Sequence, residues 1–280
     1  MTNDVREDLR QEWTSAAPYW KKWDEHLASQ SRAATELIVE AAELSPGHRV
    51  LDLASGTGQP ALTIAAHVGP DGRVIATDLT AAMVEATREN ARAQKVTNLD
   101  AQVADAERLP FSNAEFDRVT CRFGIMFIPE VEKAFAEIRR VLKPAGRVSF
   151  LTWGSLEENP MFAVTVGPFM KHVRPPQPPP DAPTIFRFAD PAQLQARLES
   201  AGFKSVTVSK KQVPWPWPGT PDDAWQGMRD LAAPFKKIIA ALPPEKHSEV
   251  MQQVMSNLNR FYDGKQVQFP ATVVLATAHA

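Results

Sequence analysis

The sequence predicts an α/β fold: a seven-stranded, mostly parallel sheet with helices on both faces. Short apolar runs alternate with helical stretches over residues 49–153, an order typical of parallel strands joined by right-handed crossovers. The runs are apolar almost throughout, as expected of strands covered by helices on both faces. Gly56 and Gly58 follow the first run and open a helix, which is where such sheets bind ligands.

The strands are short runs bounded by turn residues. Five are expected in the central region, at Arg49–Leu53, Val74–Thr77, Leu99–Val103, Phe116–Cys121 and Arg147–Thr152. Two more are expected later, at Ser205–Val208 and Val273–Ala276. Because open α/β sheets bind ligands at the carboxyl ends of their strands, the loops that follow them are the candidates for chemistry.

The helices between the strands carry recognisable start signals. Pro60 suits the first turn of a helix that runs to Val68, and the Thr80 hydroxyl can cap the next helix. The remaining helices are expected at Ala81–Gln94, Val131–Leu142 and Pro191–Ala201, with a largely helical stretch over Asp222–Tyr262.

We interpret the 280 residues as a single domain in three parts. Residues 1–48 form a helical cap, residues 49–153 the ligand-binding core, and residues 154–280 the last two strands with insertions after strands five and six. The first insertion, at about 155–187, contains the run Arg174–Pro180, which predicts polyproline II.

Composition excludes several classes of protein. The formal net charge is −2, without the basic excess of a nucleic-acid binder. Cys121 is the only cysteine, so neither a disulfide nor a zinc site is expected. No apolar run is long enough for a membrane span, and Met1–Arg10 lacks a signal-peptide core. We therefore expect a cytoplasmic protein without a metal. The sequence leaves open whether the protein forms a homodimer.

The glycines and a spaced acid predict a site for an adenosine-containing ligand. Glycine lets the backbone approach a ligand closely, and the helix start offers free N–H groups. Asp78 lies 20 residues after Gly58, at the end of the second strand, where a carboxylate can accept hydrogen bonds from both ribose hydroxyls. The run Gly56–Ala61 also fits G-x-G-x-x-A, so an NAD(P)-dependent oxidoreductase is an alternative.

The run Val50–Gly58 resembles motif I of the class I methyltransferases that depend on S-adenosylmethionine (SAM), with Ala54 at the usual first glycine. Three later segments resemble that family in the same order, namely Asp105–Phe111, Phe116–Val119 and Arg139–Arg147. The resemblance is strongest to the ubiquinone/menaquinone biosynthesis methyltransferases and covers about residues 45–153. It implies a Rossmann-like fold, with SAM as cofactor and S-adenosylhomocysteine (SAH) as product.

The resemblance also implies roles for individual residues. Ala54, Gly56 and Gly58 would line the methionine and ribose of SAM. Asp78 would bind the ribose hydroxyls, with Leu79 near the adenine. Asp105 would accept from the adenine amino group, with Ala106 beside it. Asp52 would either shape the loop or bind the SAM amino group through water. The backbone around Cys121, Arg122 and Phe123 would face the methionine end.

The acceptor is expected to be small and apolar or aromatic. Trp20, Trp23 and Leu27 share one helix face, and the resemblance implies that N-terminal helices fold over SAM. Trp20, Trp23, Phe123 and Met126 are the candidate acceptor contacts. The insertions add Phe162, Phe169, Met170, Trp215, Trp217, Trp225, Met228 and Phe235, which would make the cavity apolar, as small-molecule pockets usually are.

The sequence leaves the catalytic residues unknown. The SAM sulfonium already makes its methyl electrophilic, so the protein must mainly align an acceptor in line with that methyl and exclude water. His26, Tyr19 and His172 are the candidates for a general base. Because no base stands out, a SAM-binding protein with a non-methylating reaction, such as cyclisation, is a second alternative.

Overall fold

The structure, a computed structural model, describes residues 2–174, 179 and 181–280. The run Arg174–Pro180, predicted to be polyproline II, lies for the most part outside the described residues. Within the described part of the chain, no helix has both the length and the apolar character needed to cross a membrane.

Across the part of the chain that the structure describes, seven strands form one sheet, as predicted. They are β1 Arg49–Leu53, β2 Arg73–Asp78, β3 Leu99–Val103, β4 Phe116–Arg122, β5 Leu142–Trp153, β6 Lys204–Pro218 and β7 Gln266–His279. Their spatial order is β3-β2-β1-β4-β5-β7-β6. The first five pair in parallel, whereas β7 is antiparallel to both β5 and β6. The antiparallel β7 departs from the order 3-2-1-4-5-6 of dinucleotide-binding sheets, which disfavours the oxidoreductase alternative.

Eleven helices pack on and around the sheet within the described residues. They are α1 Thr2–Lys22, α2 Asp24–Gln30, α3 Arg32–Ala41, α4 Ala61–Val68, α5 Ala81–Ala93, α6 Val131–Val141, α7 Pro160–Met170, α8 Pro191–Ser200, α9 Pro221–Leu231, α10 Lys236–Ala240 and α11 His247–Asn259. The Thr80 hydroxyl accepts from the Met83 N–H and caps α5 as predicted. The stretch Asp222–Tyr262 divides into α9–α11, and Pro243 and Pro244 separate the last two because proline cannot continue a helix from within.

Strand β6 is much longer than the predicted Ser205–Val208. It continues to Pro218 because its prolines alternate with inward-facing side chains: Trp215 and Trp217 are buried, whereas Pro214 and Pro218 are exposed. Proline donates no ladder hydrogen bond and is tolerated on an edge strand, which is the position of β6 in the sheet. The predicted Val273–Ala276 likewise extends to Gln266–His279, because it pairs with β6 along this length.

The carboxyl ends of the parallel strands meet at one edge of the sheet. Since β6 is antiparallel to β7, it runs parallel to β5, and the end of β6 lies at the same edge. Helix α1 contacts α5 and α9, and α2 contacts β6. The N-terminal helices thus lie across the edge where the predicted site residues are found.

Candidate active site

The loop after β1 adopts a backbone that favours glycine. Ala54, Gly56 and Gly58 have φ angles of 51°, 56° and 118°. Positive φ costs a residue with a Cβ about 1–2 kcal/mol, and glycine much less. The strain at Ala54 explains why glycine is usual at this position of the motif.

Asp78 ties this loop to the neighbouring strand. Its Oδ2 accepts from the Gly56 N–H over 3.1 Å, and its Oδ1 accepts from the Thr80 N–H and hydroxyl over 3.0 and 3.1 Å. Burial raises the pKa of Asp78, while these hydrogen bonds act against the rise. The carboxylate therefore stands beside the loop, where ribose binding was predicted, and the partly buried Leu79 follows it.

Helix α1 covers the loop and the end of β3. A Cβ placed on Gly56 would lie 3.8 Å from the indole of Trp20, so this ring sits over the glycine. Near the other end of α1, Arg6 forms an ion pair with Asp105 over 3.2 Å and another with Glu107. The predicted adenine acceptor Asp105 is thus paired with a residue of the cap. The adjacent Ala106 is partly buried.

Asp52 lies beneath the loop and is fully buried. Its Oδ1 accepts from the Thr120 hydroxyl over 2.6 Å, and its Oδ2 has no partner among the described residues. Burial raises the pKa of Asp52 to about 6. Of its two predicted roles, this position favours shaping the loop, because the side chain does not line the cavity described below.

Cys121 and Arg122 end β4 with different environments. Cys121 is fully buried, and burial raises the pKa of its thiol, so it offers the site only its backbone. The Arg122 guanidinium donates to the hydroxyls of Ser31 and Thr35 and to the Gln59 carbonyl. Burial lowers the pKa of Arg122 to about 10. The sequence predicted a role for its backbone only, whereas its side chain also faces the site.

A cavity of about 170 Å³ opens beside the loop. An apolar cavity of roughly 150 Å³ is large enough to bind benzene, so a single aromatic ring fits without movement of the walls. Aromatic side chains make up much of its lining: Trp13, Trp20, Phe123, Phe127, Trp153, Phe162, Trp215, Trp217, Trp225 and Phe235.

The aromatic rings pack against one another in preferred geometries. Phe123 stacks on Trp153 with ring centroids 4.4 Å apart and an interplanar angle of 10°. Trp215 meets Trp153 edge to face at 4.8 Å. Phe123 has a φ of 59°, unusual for a bulky residue, and its N–H donates to the Leu151 carbonyl over 2.7 Å. These contacts fix the Phe123 ring at the end of β4.

The cavity is polar at one end and apolar at the other. The polar lining residues are near the loop: Asp24, Gln30, Ser31, Thr57, Gln59 and Arg122. The remaining lining side chains are aliphatic, aromatic or methionine apart from Thr165, whose hydroxyl donates to the Met161 carbonyl. Among the described lining residues, Asp24 and Arg122 alone carry charge, and none is a histidine.

Three of the four predicted acceptor contacts, Trp20, Phe123 and Met126, line the cavity. Trp23 packs behind the lining, with its ring 5.7 Å from that of Trp217 and its N–H donating to Asp230. Of the insertion residues, Phe169 instead stacks on Trp225, and Met170 is exposed. The sequence did not single out Asp24 or Trp153, although Trp153 directly follows the predicted fifth strand.

None of the three candidate bases lines the cavity. The ring of His26 packs against that of Trp217 with centroids 4.3 Å apart and an interplanar angle of 39°, and burial lowers the pKa of His26. Tyr19 is 41% exposed. His172 follows α7 and lies 3.8 Å from Glu249. A catalytic role for any of them stays a prediction that this geometry does not favour.

The chain matches the model of the ubiE/COQ5 methyltransferase family over residues 28–177. It is 40% identical over 124 residues to a ubiquinone/menaquinone biosynthesis C-methyltransferase UbiE of Ralstonia pickettii, covering 43% of this chain and 51% of the relative. This alignment therefore spans about half the length of the relative. A UbiE of Cupriavidus necator is 34% identical over 180 residues, covering 60% of this chain and 72% of the relative.

The fold is also similar to that of solved structures. The crystal structure of the YcgJ protein from Bacillus subtilis superposes with a TM-score of 0.57 at 22% identity, covering 88% of this chain and 97% of that one. At this level of identity the likeness shows the shared fold alone.

Proposed function

Because the chain belongs to the ubiE/COQ5 methyltransferase family, we propose that it transfers the methyl group of SAM to a small lipophilic acceptor that carries an aromatic or quinone-like ring. The observation that best supports this proposal is that one cavity is lined both by Thr57 and Gln59 of the glycine-rich loop and by a set of aromatic rings. A methyl donor held by the loop and a ring held by the aromatic wall would then share one space.

The residues around the loop fit SAM. The Gly56 position has no Cβ between the backbone and the Trp20 ring, and the Asp78 carboxylate stands next to it. In this proposal Asp78 holds the ribose hydroxyls, with Leu79 beside the adenine. Asp105 and Ala106 contact the adenine edge. Arg6 must then either keep its ion pair with Asp105 while the adenine binds or break that ion pair. Backbone groups of Ala54, Gly56 and Gly58 border the methionine and ribose.

When bound, SAM supplies an electrophilic methyl on its sulfonium. The part of the protein is to hold the acceptor in line with that methyl and to exclude water. The stacked pair Phe123 and Trp153 provides a flat, fixed surface for a ring. Trp20 closes the loop side against solvent, since it lies on Gly56 and lines the cavity.

We expect the acceptor to be nucleophilic without deprotonation by a base of the protein. No histidine is among the described lining residues, and Asp24 is already bonded to the Asn90 amide over 2.8 Å. An electron-rich ring or a phenolate suits such a site, since neither needs a strong base from the protein. The apolar far end of the cavity suits the hydrocarbon part of the acceptor.

The cofactor is tested by calorimetric titration with SAM, SAH and NADH. We expect micromolar binding of SAM and SAH, lost in Asp78→Ala and retained in Asp100→Asn. Asp100 is an exposed acid on β3 that pairs with Arg73. Binding of NADH with none of SAM or SAH would overturn the proposal.

The reaction is tested with SAM labelled in its methyl group and a panel of phenols, quinols and amines. We expect label in extracts of the ring-containing acceptors and none in those of small aliphatic amines. SAM binding without transfer to any acceptor, but with another change in a ring substrate, would support the non-methylating alternative instead.

A further inference from the structure

Arg122 and Asp24 carry opposite charges and line the same cavity, and no ion pair joins the two side chains. Every hydrogen bond that Arg122 makes with described residues goes to a neutral oxygen, on Ser31, Thr35 or Gln59. Its Nε is buried and has no partner among the described residues. Asp24 accepts from the neutral amide of Asn90.

Arg122 is half-buried, and no carboxylate of the described residues is hydrogen-bonded to its guanidinium. This is costly, because burial removes part of the hydration of its charge. Arginine keeps that charge at any physiological pH. Of its five N–H groups, three are used by Ser31, Thr35 and Gln59. The remaining two, on Nε and Nη2, can meet the two oxygens of one carboxylate, which is the usual geometry of such pairs. The site therefore has a place for a carboxylate.

The position of the two charges identifies the ligand group. Arg122 donates to the carbonyl of Gln59 in the glycine-rich loop. Asp24 is joined to the same loop through Asn90, whose amide donates to both Asp24 and the Thr57 carbonyl over 2.8 Å. Both charged side chains are therefore held at the loop, away from the apolar end of the cavity.

We infer that Arg122 and Asp24 together bind the zwitterionic amino-acid end of SAM, with Arg122 on the α-carboxylate and Asp24 on the α-ammonium. The inference rests on the proposed function and adds two side chains to it. Asp52 is less suited to the ammonium, because it is fully buried and bonded to Thr120. Asp52 instead balances the charge of Arg122 from below, since its charge opposes the lowering of the Arg122 pKa.

The test compares three ligands by calorimetry. SAH carries both charges, 5′-deoxy-5′-(3-aminopropylthio)adenosine keeps the ammonium and lacks the carboxylate, and 5′-methylthioadenosine lacks both. Each is titrated into the wild type, Arg122→Gln and Asp24→Asn. Arg118→Gln is the matched control, since Arg118 lies on the same strand but donates to the carbonyls of Ala42 and Glu43.

Arg122→Gln should weaken SAH about 10- to 100-fold, as expected for a charge-assisted contact, and should leave the other two ligands within threefold. Asp24→Asn should weaken SAH and the aminopropyl ligand while leaving methylthioadenosine unchanged. Arg122→Lys, which keeps the charge, should recover part of the loss and shows whether Arg122→Gln acts through misfolding.

Two results would overturn the inference while keeping the proposed function. In one, Arg122→Gln weakens all three ligands equally, so Arg122 only supports the fold. In the other, neither variant changes SAH binding. Failure of the wild type to bind any of the three ligands would instead overturn the proposed function itself.

Discussion

Thr120 and Asp52 are register partners on β4 and β1, and the Thr120 hydroxyl donates to the Asp52 carboxylate over 2.6 Å inside the sheet. Both side chains are fully buried. The hydrogen bond opposes the effect of burial, which raises the pKa of Asp52 to about 6. Asp52 is therefore ionised at pH 7.5 and largely neutral at pH 5.

Thr120→Val should destabilise the protein more at pH 7.5 than at pH 5. A hydrogen bond to a charged group contributes about 1.5–3 kcal/mol and one to a neutral group about 0.5–1.5 kcal/mol. Loss of the hydroxyl raises the folded-state pKa of Asp52 further, so the added cost appears as pH rises through about 6. Urea unfolding at both pH values measures the difference.

Thr152→Val is the control, because Thr152 donates to the neutral Phe188 carbonyl. Equal losses of stability at both pH values for Thr120→Val would contradict the prediction.

Ala54→Gly should leave the protein as stable as the wild type or stabilise it by up to about 1.5 kcal/mol. Relief of the strained backbone at φ 51° gains about 1–2 kcal/mol, and the added flexibility of the unfolded chain costs about 0.5–1 kcal/mol. Urea unfolding measures the change. Ala61→Gly, in the first turn of α4, should lose about 0.5–1 kcal/mol, and an equal loss for Ala54→Gly would show that no strain is stored there.

The core of the sheet could be predicted because its signals are local. Leu99–Val103 has the same bounds in the sequence interpretation and in the structure, since its alternation of apolar and polar residues ends just before Asp105. The loop of the candidate site could be predicted for the same reason, because its glycines, the start of the next helix and Asp78 lie within 23 residues of one another.

The side-chain surroundings of the cavity could not be predicted in the same way. Arg122 is oriented by Ser31 and Thr35, which precede it by 91 and 87 residues. No local pattern records such contacts. The Pro-Trp alternation of β6 was also missed, because proline disfavours strands in general and is allowed here only by the edge position.

Trp215→Leu should raise KM for a ring-containing acceptor about tenfold and leave the SAM dissociation constant within twofold. The indole of Trp215 lines the cavity and packs edge to face on Trp153, and a well-placed aromatic contact of this kind contributes about 0.5–1.5 kcal/mol beyond its buried area. Steady-state kinetics with saturating SAM measure the effect.

Phe269→Leu is the control for this experiment. Phe269 is the register partner of Trp215 on β7 and is buried, but it does not line the cavity. Both substitutions should lower stability, and only Trp215→Leu should change KM. A similar rise in KM for Phe269→Leu would mean that the acceptor responds to general loosening of the sheet edge.

Gly227→Ala should destabilise the protein by about 1–3 kcal/mol, the usual cost of overpacking. Gly227 lies in α9, and a Cβ at this position would come within 1.9 Å of the Trp217 ring. Trp217 is 1% exposed and packs on His26, so its ring can move away from the added methyl only into the cavity. We therefore also expect a higher KM for the acceptor.

The matched control is Gly167→Ala in α7, where nothing lies within 4 Å of the added Cβ. Alanine at this position should stabilise the helix by up to about 1 kcal/mol. Urea unfolding of the two variants should shift in opposite directions, and a stabilised Gly227→Ala would mean that α9 is not held against Trp217 in solution.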